Sequence, residues 1–247
     1  MNGTEPIIKV RDLVKKFGSF TANDHLNFDV YKGEIFGFLG ANGAGKTTAM
    51  KILCGLSEPT SGSASVAGYD VYREPNKIKN CIGYMSQKFS LYEDLTVSEN
   101  IRFFAGIYGM DRKEIKIKSR QLIEKLGLSD AADKLIADLP LGWRQKLAFS
   151  VALVHDPEIV FLDEPTSGVD PITRRQFWTL IYEAASEGVT IFLTTHYMDE
   201  AEYCDRVSIM VDGRITALDT PGKLKEQFNA ETMNEVFIKL VRVRSDK

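Results

Sequence analysis

Residues 35–56 read IFGFLGANGAGKTTAMKILCGL, and this stretch decides the fold of the chain. Its centre, residues 40–47, fits the pattern GxxxxGK followed by Ser or Thr. An apolar run precedes the loop and a helix-prone segment follows it. A strand, a glycine-rich loop and a helix in this order predict a phosphate-binding loop. The other interpretation, a glycine turn that happens to precede a lysine, explains neither flank.

The loop holds the residue types that a bound triphosphate requires. Its glycines let the backbone curl around an anion with N–H groups pointing inward, and the following helix adds its positive N-terminal end. Lys46 is expected to reach the terminal phosphates, and the Thr47 hydroxyl is a natural ligand for Mg²⁺. We therefore expect contacts to the nucleotide from Gly40, Asn42, Gly43, Ala44, Gly45, Lys46, Thr47 and Thr48.

A second candidate element is the run IVFLDE at residues 159–164. Four apolar residues followed by two acids are typical of a strand that is buried on both faces and ends in a polar crevice. We expect Asp163 to meet the Mg²⁺ through water, and Glu164 to polarise the attacking water. Two adjacent acids alone more often form a surface turn, but the phosphate loop favours the functional interpretation.

Two further polar residues follow apolar strands. His196 ends the run IFLTTH, where a neutral imidazole is suited to bond a terminal phosphate and to hold Glu164 and the water in line. Gln87 follows the run CIGYMS and has the chemistry to touch both the metal ion and the water. His25 and His155 have no comparable position, and we interpret them as structural.

Composition argues against several classes of protein. The chain has 247 residues, of which 44% are hydrophobic and 26% charged, which excludes a disordered chain. A formal net charge of -3, with no basic run longer than a pair, argues against nucleic-acid binding. The longest apolar stretch, residues 147–154, is far shorter than the ~20 residues that span a bilayer, and the N-terminus lacks a secretory signal. We expect a cytoplasmic chain with three reduced cysteines and neither zinc nor a disulfide.

The order of apolar runs predicts the fold class. Three β-prone runs between residues 7 and 38 (IIKV, LNFDV and EIFGFL) predict an antiparallel sheet. From Ala41 onward, apolar strands alternate with helical segments, which predicts a parallel sheet wrapped by helices. The strand and helix pairs are 159–162 with 171–186, and 189–195 with 198–203.

Two other segments have a helical pattern. Residues 96–138 predict an inserted helical subdomain, and residues from 230 onward a closing amphipathic helix. We therefore predict one α/β domain over 1–247, a P-loop NTPase core with a mostly parallel sheet and an N-terminal antiparallel β subdomain (about 1–95 and 139–229). The insertion occupies about 96–138 and the C-terminal helix and tail 230–247. The apolar positions expected to pack are Ile101, Phe104, Ile107 and Tyr108 in the insertion, and Val236, Phe237, Leu240 and Val241 in the tail.

These elements in this order resemble the nucleotide-binding subunit of an ATP-binding cassette (ABC) transporter, and the resemblance covers about residues 7–240. It rests on six ordered motifs: GANGAGKT, YMSQ with Gln87, LPLGWRQ at 139–145, IVFLDEP, SGVD at 167–170 and TTH. The chain is also similar to the ATPase of type-2 ABC exporters, which handle drugs, lipids or polysaccharides. This similarity rests on the segments LPLGW, LDEPTSGVDP, TTHYMDEAEYCDR and GRITALDTP.

The resemblance implies an ATPase that uses ATP and Mg²⁺ at the cytoplasmic face of the cell membrane. Two cassettes, identical or different, face head to tail, with ATP between the phosphate loop of one and the signature of the other. Closure follows ATP binding, and hydrolysis reopens the dimer and drives transmembrane permease subunits. The sequence is also compatible with one of the two cassettes of a protein that carries two in tandem.

The resemblance also assigns residues outside the phosphate loop. Phe17 is placed where the family has an aromatic ring that stacks on adenine, although Phe20 is close and a ring here is equally typical of a core. Asp170 lies in the segment that reaches across the dimer. The signature residues expected to contact the second cassette's nucleotide are Leu139, Gly142 and Trp143.

The signature departs from the family pattern LSGGQ. In LPLGW only Leu139 and Gly142 are kept. Pro140 has neither a hydroxyl nor an N–H group, so the hydrogen bond that the usual serine gives to phosphate is absent. We expect the backbone N–H groups of Gly142 and Trp143 to remain available, and closure to be weaker but functional.

The segment after Gln87 is a candidate contact between this chain and a membrane subunit. Phe89, Leu91 and Tyr92 cluster where the core meets the insertion. They form either interior packing or a groove that accepts a short helix of a membrane subunit, and the sequence favours neither.

Three rival functions use similar motifs. Soluble ABC ATPases that act on DNA or ribosomes usually carry coiled-coil arms, tandem cassettes or basic faces, and this chain has none of them. A GTPase is disfavoured because no NKxD motif occurs. A regulatory cassette that binds ATP without hydrolysing it stays open because of the altered signature.

Overall fold

Two sheets and a set of helices make up the fold of residues 5–87 and 91–245, which the computed structural model describes. The strands are β1 (Pro6–Phe17), β2 (Phe20–Tyr31), β3 (Ile35–Gly40), β4 (Ser61–Val66), β5 (Tyr69–Asp70), β6 (Ile82–Met85), β7 (Ile159–Asp163), β8 (Thr190–Thr195), β9 (Arg206–Val211) and β10 (Arg214–Asp219). The α-helices are α1 (Lys46–Leu53), α2 (Pro75–Cys81), α3 (Val97–Ile107), α4 (Arg112–Lys125), α5 (Leu141–Ala152), α6 (Pro171–Ser186), α7 (Pro221–Gln227) and α8 (Met233–Ser245).

The larger sheet has six strands in the order β10-β9-β3-β8-β7-β6. Strands β9, β3, β8, β7 and β6 are mutually parallel, and only β10 runs antiparallel to its neighbour. Every residue of β3, β7 and β8 is buried, as expected where helices cover both faces of a parallel sheet. The predicted α/β fold with a mostly parallel sheet is confirmed.

The smaller sheet is antiparallel and has the order β2-β1-β4-β5. It includes the first two β-prone runs of the N-terminal stretch, as predicted. The third run was assigned wrongly, because β3 pairs in parallel with β8 and β9 in the larger sheet. The pattern of β3 explains this, since IFGFLG has no alternating polar face of the kind that a half-exposed antiparallel strand shows.

Residues 97–138 contain α3, α4 and two single turns of 3₁₀ helix. Capping boxes begin both helices, with Thr96 and Glu99 at α3 and Asp111 and Glu114 at α4. The buried positions of α3 include Val97, Ile101 and Ala105. Ile107 was predicted to share this face but is 60% exposed, because two residues beyond Ala105 a helix has turned by about 200°.

Side chains pack on both faces of the larger sheet. On one face, aromatic rings of β2, β3, β7 and β8 stack against each other at centroid distances of 5.3–6.2 Å. On the other face, α5, α6 and the insertion pack together with α8. In α8, Val236 is fully buried, and Phe237, Leu240 and Val241 are partly buried. Residues 198–203, expected to be helical, form 3₁₀ turns.

Within the described part of the chain, no helix is long and apolar enough to cross a membrane.

Candidate nucleotide site

The parallel strands bring the predicted motifs to one edge of the sheet. The register pairs Leu39 with Thr195 across β3 and β8, and Asp163 with Thr194 across β7 and β8. Met85 of β6 pairs with Leu162. Because these strands run in the same direction, the phosphate loop and the residues that follow β6, β7 and β8 emerge side by side.

Glycine is required at two positions of the phosphate loop. A Cβ atom on Gly45 would lie 2.2 Å from the carbonyl oxygen of Ala22, and one on Gly40 would lie 2.5 Å from that of Met210. Gly45 also has a φ of 102°, in the left-handed region. The Asn23 amide donates to the Gly45 carbonyl at 3.0 Å, so β2 holds the loop in place.

Lys46 places a buried ammonium group at the centre of the loop. Only 4% of the residue is exposed, and its Nζ donates to the carbonyls of Gly40 at 2.7 Å and Ala41 at 3.1 Å. The same atom lies 3.6 Å from Glu164 Oε1. Burial lowers the pKa of Lys46, and the charge of Glu164 opposes that shift. A buried cation with backbone carbonyls as its main partners is suited to bind an anion.

Thr47 and Asp163 meet as the metal prediction requires. The Thr47 hydroxyl donates to Asp163 Oδ1 at 3.0 Å, and the Thr194 hydroxyl donates to the same oxygen at 2.6 Å. These are oxygen ligands of the kind that Mg²⁺ prefers, and protein sites for Mg²⁺ commonly combine one or two carboxylates with phosphate oxygens. The residues present therefore fit a Mg²⁺ ion that is bound together with a nucleotide.

Glu164 joins the two remaining polar residues. Its Oε2 accepts from Gln87 Nε2 at 2.9 Å and lies 3.0 Å from His196 Nδ1. The backbone of Glu164 has a φ of 50°, and its N–H donates to the carbonyl and the hydroxyl of Thr194, both at 3.1 Å. Gln87 contacts Glu164 directly, and its expected contact to the metal stays a prediction.

A cavity of about 510 Å³ opens beside the loop. Its aromatic wall is Phe20, whereas Phe17, the predicted partner of adenine, is 56% exposed with Lys15 Nζ 5.0 Å above its ring. The two rings are cross-strand neighbours on β1 and β2. Adenine stacking by Phe17 stays a prediction, and Phe20 is a second candidate. The residues that line the cavity are Phe20, Ala22, Asn42, Gly43, Gly45, Lys46, Thr47, Thr48, Gln87 and Glu164.

The signature segment forms the start of α5. Pro140 is the N-cap residue and makes no side-chain hydrogen bond. The Trp143 N–H donates to the Pro140 carbonyl at 3.0 Å, so the expectation that this group is available was wrong. The Trp143 N–H group makes the first hydrogen bond of the helical turn. The Gly142 N–H group lies one residue earlier and has no intrahelical acceptor, because no turn of the helix precedes it. Leu139 is buried and Leu141 is 40% exposed.

Asp170 lies next to this segment. Its carboxylate caps α6 and accepts from the N–H groups of Ile172 and Thr173, each at 3.0 Å. The Thr173 hydroxyl also donates to it, and these bonds hold the pKa of Asp170 below its usual value. A Cβ atom on Gly142 would lie 2.7 Å from Thr173 Cγ2, so the starts of α5 and α6 are in contact.

Sequence reasoning missed three residues that shape the site. Thr194 bonds both Asp163 and the Glu164 amide, and Arg144 bonds the Leu139 carbonyl at 2.7 Å and Glu93 at 3.0 Å. Glu200 is a fully buried carboxylate behind the site. The doubled threonine before His196 was a usable signal for Thr194. Glu200 and Arg144 gave none, because charged residues in polar segments are usually solvated.

The chain is similar to known proteins along most of its length. A family model described as ABC transporter matches residues 23–167. The probable multidrug ABC transporter ATP-binding protein YbhF of Escherichia coli (strain K12) is 50% identical over 242 residues, which cover 96% of this chain and 42% of YbhF. The linearmycin resistance ATP-binding protein LnrL of Bacillus subtilis (strain 168) is 33% identical over 245 residues, which cover 96% of this chain and 79% of LnrL.

The fold has close structural counterparts as well. A solved structure described as the ATP binding subunit of an ABC transporter matches with a TM-score of 0.85 at 29% identity, over 95% of this chain and 99% of that one. The chain spans less than half of the length of YbhF.

Proposed function

This chain belongs to the ABC transporter family, and from that premise we propose that it binds and hydrolyses ATP as one of two cassettes that drive a membrane permease. One observation carries the proposal. Lys46, Thr47 and Asp163 lie at one edge of the sheet with Glu164, which contacts Gln87 and His196. Phosphate binding, metal binding and water activation need this set of groups in one place.

The phosphate loop provides the binding energy for the triphosphate. N–H groups of the loop and of the start of α1 would donate to the anion, and Lys46 would exchange its carbonyl partners, Gly40 and Ala41, for the terminal phosphates. Thr47 and Asp163 would hold a Mg²⁺ ion, and the chemistry it would supply is neutralisation of charge on the phosphates. This arrangement positions the terminal phosphate at the end of β7.

Glu164 acts as the general base. Its carboxylate accepts a proton from the attacking water while Gln87 and His196, which both contact Oε2, fix its orientation. The Glu164 N–H donates to the carbonyl and the hydroxyl of Thr194, and these bonds help to fix the left-handed backbone of Glu164, so that its carboxylate is already in place before the reaction.

A second cassette completes the site. We propose that the start of α5, with the Gly142 amide, faces the nucleotide of a second cassette, identical or different, and that Leu139 and Trp143 support this turn. Asp170 orders the start of α6 beside it. ATP then lies within the dimer interface, and its hydrolysis reopens the dimer.

The permease contact is proposed at an aromatic patch, defined as the exposed Tyr92 and Phe103 with the half-buried Phe104. The ring centroids of Tyr92 and Phe103 lie 4.9 Å apart, and these residues are 48% and 42% exposed. Asn100 holds this segment by accepting from the Tyr92 N–H at 2.8 Å. Leu91 is buried, which supports interior packing for that residue, and Phe89 lies outside the described residues.

This contact would hold the chain at the cytoplasmic face of the membrane. Exposed aromatic rings at the junction of core and insertion suit a short amphipathic helix as partner. The relatives named for multidrug transport and linearmycin resistance support export as the direction of transport.

The first experiment measures hydrolysis by the purified chain with Mg²⁺ and either ATP or GTP. We expect turnover that rises more than linearly with protein concentration, because two chains form each site, and a preference for ATP. Binding of ATP without turnover would instead favour a regulatory cassette.

A second experiment tests coupling. Tyr92→Ala is compared with Ile117→Ala, which removes an exposed side chain of α4 outside the patch. We expect Tyr92→Ala to reduce co-purification with membrane subunits and to leave basal ATPase activity within about twofold. Equal recovery of the two variants with membranes would contradict the proposed contact.

A further inference from the structure

Glu200 is a charged residue that none of the proposed chemical steps uses. It lies in the 3₁₀ turns of residues 198–203 and has no exposed surface. A carboxylate is buried at a large cost in solvation unless it is paired or hydrogen-bonded. Its partners therefore identify what holds it there.

One oxygen of Glu200 reaches the segment that carries His196. The Thr195 hydroxyl donates to Oε2 at 2.7 Å and accepts from the Tyr197 N–H at 3.0 Å. The residues on both sides of His196 are thus fixed through a single hydroxyl, and that hydroxyl is oriented by Glu200.

The other oxygen reaches the segment that carries Glu164. The Thr166 hydroxyl donates to Glu200 Oε1, and the Ser167 N–H donates to the Glu164 carbonyl at 3.1 Å to close the turn. Thr166 is 1% exposed. Glu200 therefore bonds the turn that holds Glu164 in its left-handed conformation.

A third partner connects Glu200 to α6. Arg174 Nε lies 3.6 Å from Oε1, and its guanidinium group stacks on Tyr197 at 4.3 Å. Another nitrogen of Arg174 bonds Asp199 at 3.4 Å. Because α6 starts at the Asp170 cap, this contact links the dimer-facing end of that helix to the site.

We infer that Glu200 is a positioning residue that sets the 3.0 Å contact between Glu164 and His196 and ties it to α6. The inference rests on the proposed ATPase function. Glu200 touches neither nucleotide nor water in this role. It fixes the segments that carry Glu164 and His196, so that these two side chains keep one separation when the second cassette docks beside the start of α6.

The test replaces Glu200 by glutamine, which keeps the shape of the side chain. An amide has only one oxygen, so either the Thr166 or the Thr195 hydroxyl would face an NH₂ group, which cannot accept a hydrogen bond. We expect kcat to fall about tenfold and the KM for ATP to stay within about twofold, because a hydrogen bond to a charged group is lost away from the nucleotide. Glu202→Gln is the matched control, since Glu202 lies in the same turns and pairs with Lys225 at the surface. Its kcat should equal that of the parent.

A double-mutant cycle separates positioning from general stability. In a His196→Ala background, Glu200→Gln should lower kcat by less than about twofold, because the contact it positions is already gone. A further tenfold loss in that background would show a merely structural role and overturn the inference. If Glu200→Gln does not fold, Thr195→Val takes its place, with Thr195→Ser expected to restore kcat because it keeps the hydroxyl.

The outcomes distinguish this inference from the proposed function. Absence of ATP turnover by the parent chain would contradict the proposed function, and the inference with it. If the parent hydrolyses ATP and Glu200→Gln has the same kcat, the inference is overturned and the proposed function is unaffected.

Discussion

Two regions serve the same proposed reaction but differ in how complete they are within one chain: the catalytic edge, defined as Lys46, Asp163, Glu164 and His196, and the start of α5. At the edge, Lys46 and Glu164 are 4% and 8% exposed, and each has partners in the same chain. At the start of α5, Leu141 is 40% exposed and Pro140 makes no side-chain bond. The difference is what the proposed function requires, since there the chain supplies the catalytic groups itself and its signature acts on the nucleotide of a second cassette.

The largest effect is expected at the catalytic edge. Glu164→Gln keeps the shape of the side chain but removes the general base, so kcat should fall by about 10² to 10⁴-fold while ATP binding remains. Steady-state hydrolysis and nucleotide binding by calorimetry measure the two effects. Near-parent hydrolysis by this variant would show that the edge does not supply the base.

Lys46→Ala tests binding at the same edge. The variant loses a charge-assisted contact worth about 1.5 to 3 kcal/mol, so the Kd for ATP should rise about 10 to 100-fold. Lys51→Ala is a suitable control, because Lys51 is an exposed residue of the same helix. The proposed phosphate site is wrong if Lys46→Ala binds ATP as tightly as the parent.

Pro140→Ser tests the start of α5. A serine at this N-cap position offers a hydroxyl to phosphate, and a gain on the order of 1 to 2 kcal/mol would raise ATPase activity about 5 to 30-fold. Activity is measured at several protein concentrations, since the gain should be confined to the dimer. A sharp loss of activity would show that this segment contacts the second cassette in another way.

The smallest effect is expected at His155, which lies just beyond the end of α5. The ring of His155 stacks on Tyr108 at 3.5 Å, and burial lowers the pKa of His155 from 6.5 to about 4. Between these values the unfolded chain binds a proton that the folded chain does not. The folded state is therefore favoured above pH 6.5 and loses stability as the pH falls towards 4.

His155→Phe keeps a ring against Tyr108 and removes this titration. Between pH 6.5 and 4.5 the parent should lose roughly 1 kcal/mol more unfolding free energy than the variant, allowing for the partial exposure of the ring. Denaturant unfolding at both pH values measures the difference, with His25→Gln as an exposed control. Parallel pH profiles for parent and His155→Phe would assign the loss to other groups.

The sequence predicted the catalytic edge better than its surroundings. The phosphate loop, IVFLDE and TTH are continuous runs whose spacing follows from the chemistry of phosphate binding, and parallel strands bring their ends together. The assignment of β3 to an antiparallel sheet was wrong, because chain neighbours do not always pair. The Trp143 N–H was expected to be free, but its acceptor depends on the geometry of the first helical turn. Glu200 could not be found, because its hydroxyl partners lie 5 and 34 residues away.

The left-handed backbone of Glu164 has a consequence for the engineering of this chain. A carboxylate residue with a φ of 50° costs roughly 1 kcal/mol or more in backbone strain, which glycine or asparagine would relieve. A directed-evolution screen for heat resistance alone would therefore reward the replacements that remove the base. Selection for stability and selection for turnover therefore favour different residues at position 164.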